Sequence, residues 1–367
     1  MNRKKRGREL GLPFPGKTGI YNAITDIPGV EVGYTTILEG EGQVEPGKGP
    51  IRTGVTAILP RGKQKQIQPA WAGFYSLNGN GEMTGTHWIN DAGYFFSPIC
   101  ITNTHAVGMA HHATTKWMIR HYEEQFANQH LWAMPVIAET YDGSLNDING
   151  MHVTEEHVIN AIESAHAGPI SEGNVGGGTE MICYEFKGGT GTSSRIVEID
   201  GQSYTVGTLV QANHGIREWL TVLGVPVGKH LTEGAQMEKD RGSIIVIIGT
   251  DIPMLPHQLK RVAKRAAIGI GRSGTPGGNN SGDIFLAFST ANPMSLPLGA
   301  GKKLAMTFIN DEAFDPIYEA VCQSVDESIL NAMLAAESMS FVKPAGDMME
   351  AIDHDKLLEV MKMYNRL

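Results

Sequence analysis

The sequence predicts an α+β fold, a sandwich in which antiparallel strands are grouped and helices collect between the groups. Three observations carry this reading. Strand-length apolar runs recur in clusters along the chain. One pair of them is an explicit hairpin: in "RIVEIDGQSYTVGTLVQANHG", residues 195–215, Asp200 and Gly201 supply the turn between two alternating runs. Helical patterns lie between the strands, with no tandem repeat and no Pro- or Ser-rich linker, so residues 1–367 read as one unit.

Taken in order, "GVEVGYTTI" (29–37), "TGVTAILP" (53–60) and "QPAWAGFYSL" (68–77) read as strands. A helix is expected over 105–125. "MPVIAETYDG" (134–143) is a strand running into a turn, and "TEEHVINAIESAHAG" (154–168) is a helix with Thr154 as N-cap and Gly168 as stop. After the hairpin, "DRGSIIVIIGTD" (240–251) holds a buried strand over 244–248. "PHQLKRVAKRAAIGIG" (256–271) is a helix, and "DIFLAFSTAN" (283–292) and "KKLAMTFIN" (302–310) are strands. A long amphipathic helix is expected over 315–339, and a short one ends the chain.

Hydrophobic residues make up 41% and charged residues 19% of the 367, a composition that suits a globular chain with a sizeable core. The 45 glycines fall between hydrophobic strands and point to turns and close backbone contacts. A net charge of −9 disfavours a nucleic-acid role. The one basic run, Arg3, Lys4, Lys5, Arg6 and Arg8, has no apolar segment behind it and reads as a solvated tail rather than a secretory signal. No apolar stretch is long enough to span a bilayer. Cys100, Cys183 and Cys322, sparse and odd in number, read as reduced, buried thiols of a cytoplasmic protein.

Several loops carry chemistry-bearing residues. "EGNVGGGTE" (172–180) suggests a phosphate loop, but it lacks the Lys-Ser/Thr ending and the dinucleotide spacing, so a tight turn with close packing is favoured. His105, His111 and His112 share one expected helix at spacings unsuited to a zinc site, and no HExxH occurs. "GGNNSGD" (277–283) concentrates Asn279, Asn280, Ser281 and Asp283 at the start of a strand, either as an Asx-type turn or as part of a site. "AETYDGSLND" (138–147) gathers Glu139, Tyr141, Asp142, Asn146 and Asp147, and "LVQANHG" ends a strand on Asn213 and His214. Polar groups at several strand ends point to a shared pocket.

Ser243 opens the buried strand, directly behind Gly242. No GxSxG elbow is present, so an α/β-hydrolase nucleophile is unsupported. A Gly-Ser turn before a strand is common. The alternative is that the bond between Gly242 and Ser243 is cut. Ser243 would then carry both a nucleophilic hydroxyl and an α-amine with a pKa of about 7.7–8.0, able to act as its base.

Six ordered blocks decide between these readings: "NAITDIPGVEVGYTT", "NGNGEMTG", "ETYDGSLND", "VGTLVQANHG", "GSIIVIIGTDIPMLPHQLKR" and "SGDIFLAFSTAN". Over nearly its whole length the chain resembles the L-aminopeptidase/D-esterase and β-peptidyl aminopeptidase family. The resemblance implies a four-layer αββα sandwich, similar to N-terminal-nucleophile hydrolases but with different connectivity. It implies a single catalytic domain made as a precursor that cuts itself between Gly242 and Ser243, into residues 1–242 and 243–367. It also implies a homotetramer and catalysis without metal or cofactor.

Carried over position by position, the nucleophile is Ser243. Ser281 is the second serine, relaying a proton. Asp283 stands where β-peptidyl members have a glutamate, with the same charge and less reach. Asn213 is the oxyanion donor, with Tyr141 in support, and Glu139 binds the substrate's ammonium group. The substrates implied are small peptides, amino-acid amides or esters, with α-L, β-amino and D residues all open and Ser144 a candidate contributor to that choice. Two rivals remain at this stage: an acyltransferase like the ornithine acetyltransferases, which use threonine as nucleophile, and a binding protein that never matures.

Overall fold

The computed structural model describes residues 3–235, 239–240, 242–296 and 300–367. In chain order the first half contains β1 (Glu31–Glu39), β2 (Ile51–Leu59), β3 (Ala70–Ser76), α1 (Thr86–Ala92), β4 (Tyr94–Phe95), β5 (Ile99–Asn103), α2 (Val107–His121), α3 (Glu123–Asn128), β6 (Val136–Thr140) and α4 (Glu155–Glu163). The second half contains β7 (Ile182–Cys183), β8 (Phe186–Lys187), β9 (Gly189–Ile199), β10 (Gln202–Asn213), β11 (Ser243–Thr250), α5 (Pro256–Arg272), β12 (Gly282–Ser289), α6 (Asp315–Ala335), β13 (Met339–Val342), β14 (Ala345–Met349) and α7 (His354–Met363).

Two sheets stack between two helical layers, the αββα arrangement. One sheet has the order β1-β2-β5-β6 and the other β4-β3-β12-β11-β10-β9. Alternation along the strands assigns each face. On β11, Ile245 and Ile247 join Ile58, Ile101, Ala138 and Leu209 in the core between the sheets. Ile244, Val246 and Ile248 point the other way, to Leu259 and Val262 of α5 and Val325 and Ile329 of α6. Because both faces of β11 are covered, it is apolar at every position from 244 to 248, the pattern of a fully buried strand. Val55, Ala57 and Ile137 complete the outer core with Ala113 and Trp117 of α2 and Val158 and Ile162 of α4.

The hairpin joining β9 and β10 turns on Asp200 and Gly201, both at positive φ (50° and 76°), as its sequence requires. Thr154 caps α4 by accepting the His157 N–H. Five expectations are corrected, the last of them the N-terminal run described below. The segment 302–310 is not a strand. It lies outside both sheets, clasped where the Asn292 side chain bonds both backbone groups of Thr307, and Leu304 and Phe308 are exposed. The helix expected over 105–125 breaks at Tyr122 into α2 and α3, and the one over 315–339 stops at Ala335, where Met339 begins a hairpin. That helix, α6, is buried around nearly its whole circumference rather than amphipathic. Its polar residues serve partners: Ser193 donates to the Ser324 carbonyl (2.7 Å) and Asn331 donates to that of Thr192 (3.1 Å).

The basic N-terminal run is likewise not a free tail. Arg6 pairs with Glu172 at 2.7 Å and Arg8 with Glu327 at 3.0 Å. Glu327 is fully buried on α6 and also receives Arg195 of β9 at 2.7 Å, so one carboxylate joins the N-terminus, a central helix and a sheet edge. Removing one member of a buried ion pair leaves uncompensated charge. Glu327→Ala is therefore expected to lower unfolding free energy by about 3–5 kcal/mol. Urea denaturation of the Ser243→Ala protein with and without this change measures it, and a difference below about 1 kcal/mol would show the pair to be dispensable.

Candidate active site

Three strand ends meet in one row. Ser243, first in β11, pairs antiparallel with Asn213, last in β10, and parallel with Gly282, first in β12. The pleat turns Ser243 and Asn213 to the same side as Ile245 and Leu209, toward the space between the sheets. The parallel pairing of β11 with β12 was not anticipated from sequence. It is what sets Ser281 and Asp283 beside Ser243.

The Ser243 hydroxyl donates to the Gly242 carbonyl (2.8 Å) and accepts the Gly282 N–H (3.2 Å). Ser281 donates to Asp283 at 2.6 Å, so the aspartate's reach suffices for this contact, and Asn78 holds the other carboxylate oxygen at 3.1 Å. Burial pushes the Asp283 carboxyl up to about 6; the Ser281 hydrogen bond opposes this, and the charge of Asp240 adds to it. Gly242 is sterically required: a Cβ there would lie 1.7 Å from the Asn213 carbonyl oxygen.

The Asn213 side chain is fixed at both ends. Its amide donates to the Tyr141 carbonyl (3.0 Å) and its oxygen accepts the Ile182 N–H (2.8 Å). An amide nitrogen has two protons, so one remains for another acceptor. The Tyr141 ring is 43% exposed, with its hydroxyl folded beside Gly143. Glu139, at the end of β6, is buried. It accepts the Glu82 N–H (2.9 Å) and the Thr104 hydroxyl, and burial raises its pKa. Gly81 lies between Glu139 and the serine row: a Cβ there would contact Glu139 Oε1 at 3.2 Å and Gly282 Cα at 3.4 Å.

Sequence reasoning assigned nothing to the 77–84 segment beyond noting "NGNGEMTG" as a shared block. The structure shows it lacing the site together: Leu77 bonds Asp283, Asn78 bonds Asp283 and the Gly278 carbonyl, Asn80 bonds the Asn280 carbonyl, and Thr84 bonds Ile137 of the facing sheet. Asp240, also unassigned, accepts the Gly242 N–H at 3.0 Å. Asn279 is exposed and, among the described residues, its side chain bonds that of Asn280. The 176–178 glycines form a buried turn packed on β2, as close packing rather than phosphate binding had suggested; Thr56 accepts the Gly177 N–H. His112 lies 3.9 Å from Glu155, and among the described residues no group of three His, Cys, Asp or Glu side chains is placed to hold a metal. All three cysteines are free and buried.

Frame and site define a hydrolase on an αββα sandwich of the N-terminal-nucleophile kind. Residues 22–345 match Peptidase family S58, and the chain belongs to that family. It is 50% identical to the beta-peptidyl aminopeptidase BapA of Sphingosinicella microcystinivorans, over 99% of this chain and 93% of that one. It is 44% identical to the beta-peptidyl aminopeptidase BapA of Sphingosinicella xenopeptidilytica, over 97% and 91%. Among solved structures, the L-aminopeptidase D-Ala-esterase/amidase of Ochrobactrum anthropi superposes with a TM-score of 0.95 at 55% identity, covering 99% of this chain and all of that one. That structure is described as a prototype for the serine aminopeptidases and a new variant among the Ntn hydrolase fold. A Burkholderia sp. beta-aminopeptidase superposes at 0.90 with 42% identity, covering 98% and 99%.

The raised Asp283 pKa fixes the sign of a stability effect. The folded state holds this proton more tightly than the unfolded chain, so the contribution is full below about 3.8, the unfolded value, and is lost as pH rises through about 6. Asp283→Asn, in the Ser243→Ala background, should therefore gain stability relative to aspartate on going from pH 4 to pH 8, by up to about 3 kcal/mol. Urea midpoints at the two pH values read this directly; a gap that does not change with pH would refute the shifted titration.

Proposed function

We propose that the protein is a self-processing serine aminopeptidase that hydrolyses amide or ester bonds following an N-terminal residue, with Ser243 as nucleophile. The observation that carries this reading is the position of the Ser243 hydroxyl, 2.8 Å from the Gly242 carbonyl oxygen and one residue from the hydrogen-bonded Ser281 and Asp283. In maturation, Ser243 Oγ attacks the Gly242 carbonyl carbon. The C–N bond breaks, the nitrogen takes the proton, and an ester remains. Water then hydrolyses the ester, giving Gly242 a carboxylate and Ser243 a free amine beside a regenerated hydroxyl. The products are residues 1–242 and 243–367, which stay together as one catalytic domain.

In turnover, Ser243 attacks the carbonyl of the substrate's first residue and passes its proton to its own amine, or through Ser281 to Asp283. Asn213 offers its second amide proton to the oxyanion, with Tyr141 as the further donor on the adjoining loop. A donor so placed is worth about 2.7–4 kcal/mol in comparable sites. Glu139 receives the substrate's ammonium group, which restricts the enzyme to free N-termini. The leaving amine or alcohol departs, and water releases the acyl group. The relatives named beta-peptidyl aminopeptidase and L-aminopeptidase D-Ala-esterase/amidase support β-amino, α-L and D derivatives as the substrate range. Neither metal nor cofactor enters this mechanism. The same reading makes the protein a cytoplasmic homotetramer of processed units; among the described residues no helix is long and apolar enough to cross a membrane.

Ser243→Ala is expected to remain one chain and to lose hydrolysis of aminoacyl p-nitroanilides; retained turnover would remove the nucleophile assignment. Glu139→Gln should raise KM at least tenfold for substrates with a free amino group, and an unchanged KM would dissociate Glu139 from ammonium binding. Because Asp283 must be ionised to take the proton, kcat/KM should fall as pH drops below about 6. A profile flat to pH 5 would place Asp283 outside the proton path.

A further inference from the structure

The mechanism above leaves unused a buried carboxylate that touches the junction it cuts. Asp240 Oδ1 accepts the Gly242 N–H at 3.0 Å. The same side chain packs on Gly278, where a Cβ would lie 2.7 Å from Asp240 Cβ and 2.8 Å from Oδ2. Gly278 begins the turn that ends in Ser281: its carbonyl accepts the Ser281 N–H at 2.9 Å and the Asn78 side chain at 3.0 Å. One carboxylate thus joins the residue before the scissile bond to the turn that carries the second serine. On the opposite side, Gly242 presses against the Asn213 carbonyl closely enough to exclude any Cβ.

We propose that Asp240 is a positioning residue for self-cleavage, holding the Gly242 peptide between β10 and the 277–281 turn so that its carbonyl carbon is presented to Ser243 Oγ. This rests on the self-cleavage reading given above. The hydroxyl in the uncut chain bonds the carbonyl oxygen, so attack requires a small, defined rotation of one peptide plane. A plane fixed at its neighbouring N–H samples that geometry far more often than a free one, and misplacement of about 1 Å can slow a reaction about 100-fold. The role needs an acceptor at Oδ1, not a base. Nothing in it requires Asp240 after the chain is cut; because the Asp240 charge helps raise the Asp283 carboxyl, turnover by the mature enzyme is compared at pH 8, where Asp283 is ionised with or without it.

The test follows the appearance of the two chains on a denaturing gel, in purified full-length protein. Asp240→Ala is expected to cleave about 100-fold more slowly than wild type. Asp240→Asn, which keeps an acceptor in place, should stay within about tenfold by the same argument. The fraction of Asp240→Ala that is eventually cut should turn over substrate with wild-type kcat and KM at pH 8. Hydroxylamine, which opens esters, should not release chains from uncut Asp240→Ala, because the ester has not formed. Should Asp240→Ala fail to fold, Asp240→Ser, whose shorter side chain stops short of the Gly242 N–H, is read the same way. Cleavage of Asp240→Ala at the wild-type rate, equal slowing in Ala and Asn variants, release by hydroxylamine, or a lowered kcat in the cut fraction at pH 8 would each overturn the proposal. Wild-type protein recovered as a single active chain would overturn the self-cleavage reading instead, which separates the two failures.

Discussion

The site depends on the register of one strand. β11 begins at Ser243, flanked by the last residue of β10 and the first of β12. A shift of one position would turn the serine from the space between the sheets toward α5 and bring an isoleucine into its place. The apolar residues 244–248, buried on both faces, make that shift costly. The core therefore specifies where the hydroxyl lies, and Gly242, too confined for a side chain, specifies how the preceding peptide approaches it.

Around this row the protein buries charge in organised groups. Asp142, next to Tyr141, accepts Thr53 (2.7 Å) and Asn146 (3.0 Å), and burial moves its carboxyl up to about 7. Nearby, burial raises Glu180 well above the usual carboxylate range and lowers the Lys187 ammonium to about 7. Glu180 accepts the Leu145 N–H of the Tyr141 loop, and Lys187 donates to the Met181 and Gly188 carbonyls, in the segment whose Ile182 N–H holds the Asn213 oxygen. Gln211 of β10 crosses to the other sheet, donating to Thr140 (2.6 Å) and to the Thr102 carbonyl (3.2 Å). These contacts hold the loop whose carbonyl orients Asn213, the rigid support that its proposed role as oxyanion donor needs.

Much of the fold was legible because its signals are local. The Asp200 and Gly201 turn, the Thr154 cap and the continuous apolar run of β11 each announce themselves over a few residues. The helix lengths and the 302–310 segment were misread because tertiary contacts decide them: apolar alternation makes a strand only where a sheet takes it up, and this segment is held by the Asn292 side chain instead. The polar strand ends at Glu139, Asn213 and Ser281 stood out as groups, yet only the crossing of the 77–84 segment and the parallel pairing of β11 with β12 bring them to one place. Asp240 and Asn78 gave no signal, since an isolated Asp or Asn in a loop looks like turn chemistry until its partner is seen.

In the proposed mechanism the aminopeptidase owes its reactivity to a new chain terminus at Ser243. The most direct measurement is the intact mass of the purified, active protein under denaturing conditions. The account predicts two polypeptides that join at one point, ending at Gly242 and beginning at Ser243. A fully active preparation containing only the continuous 367-residue chain would contradict it.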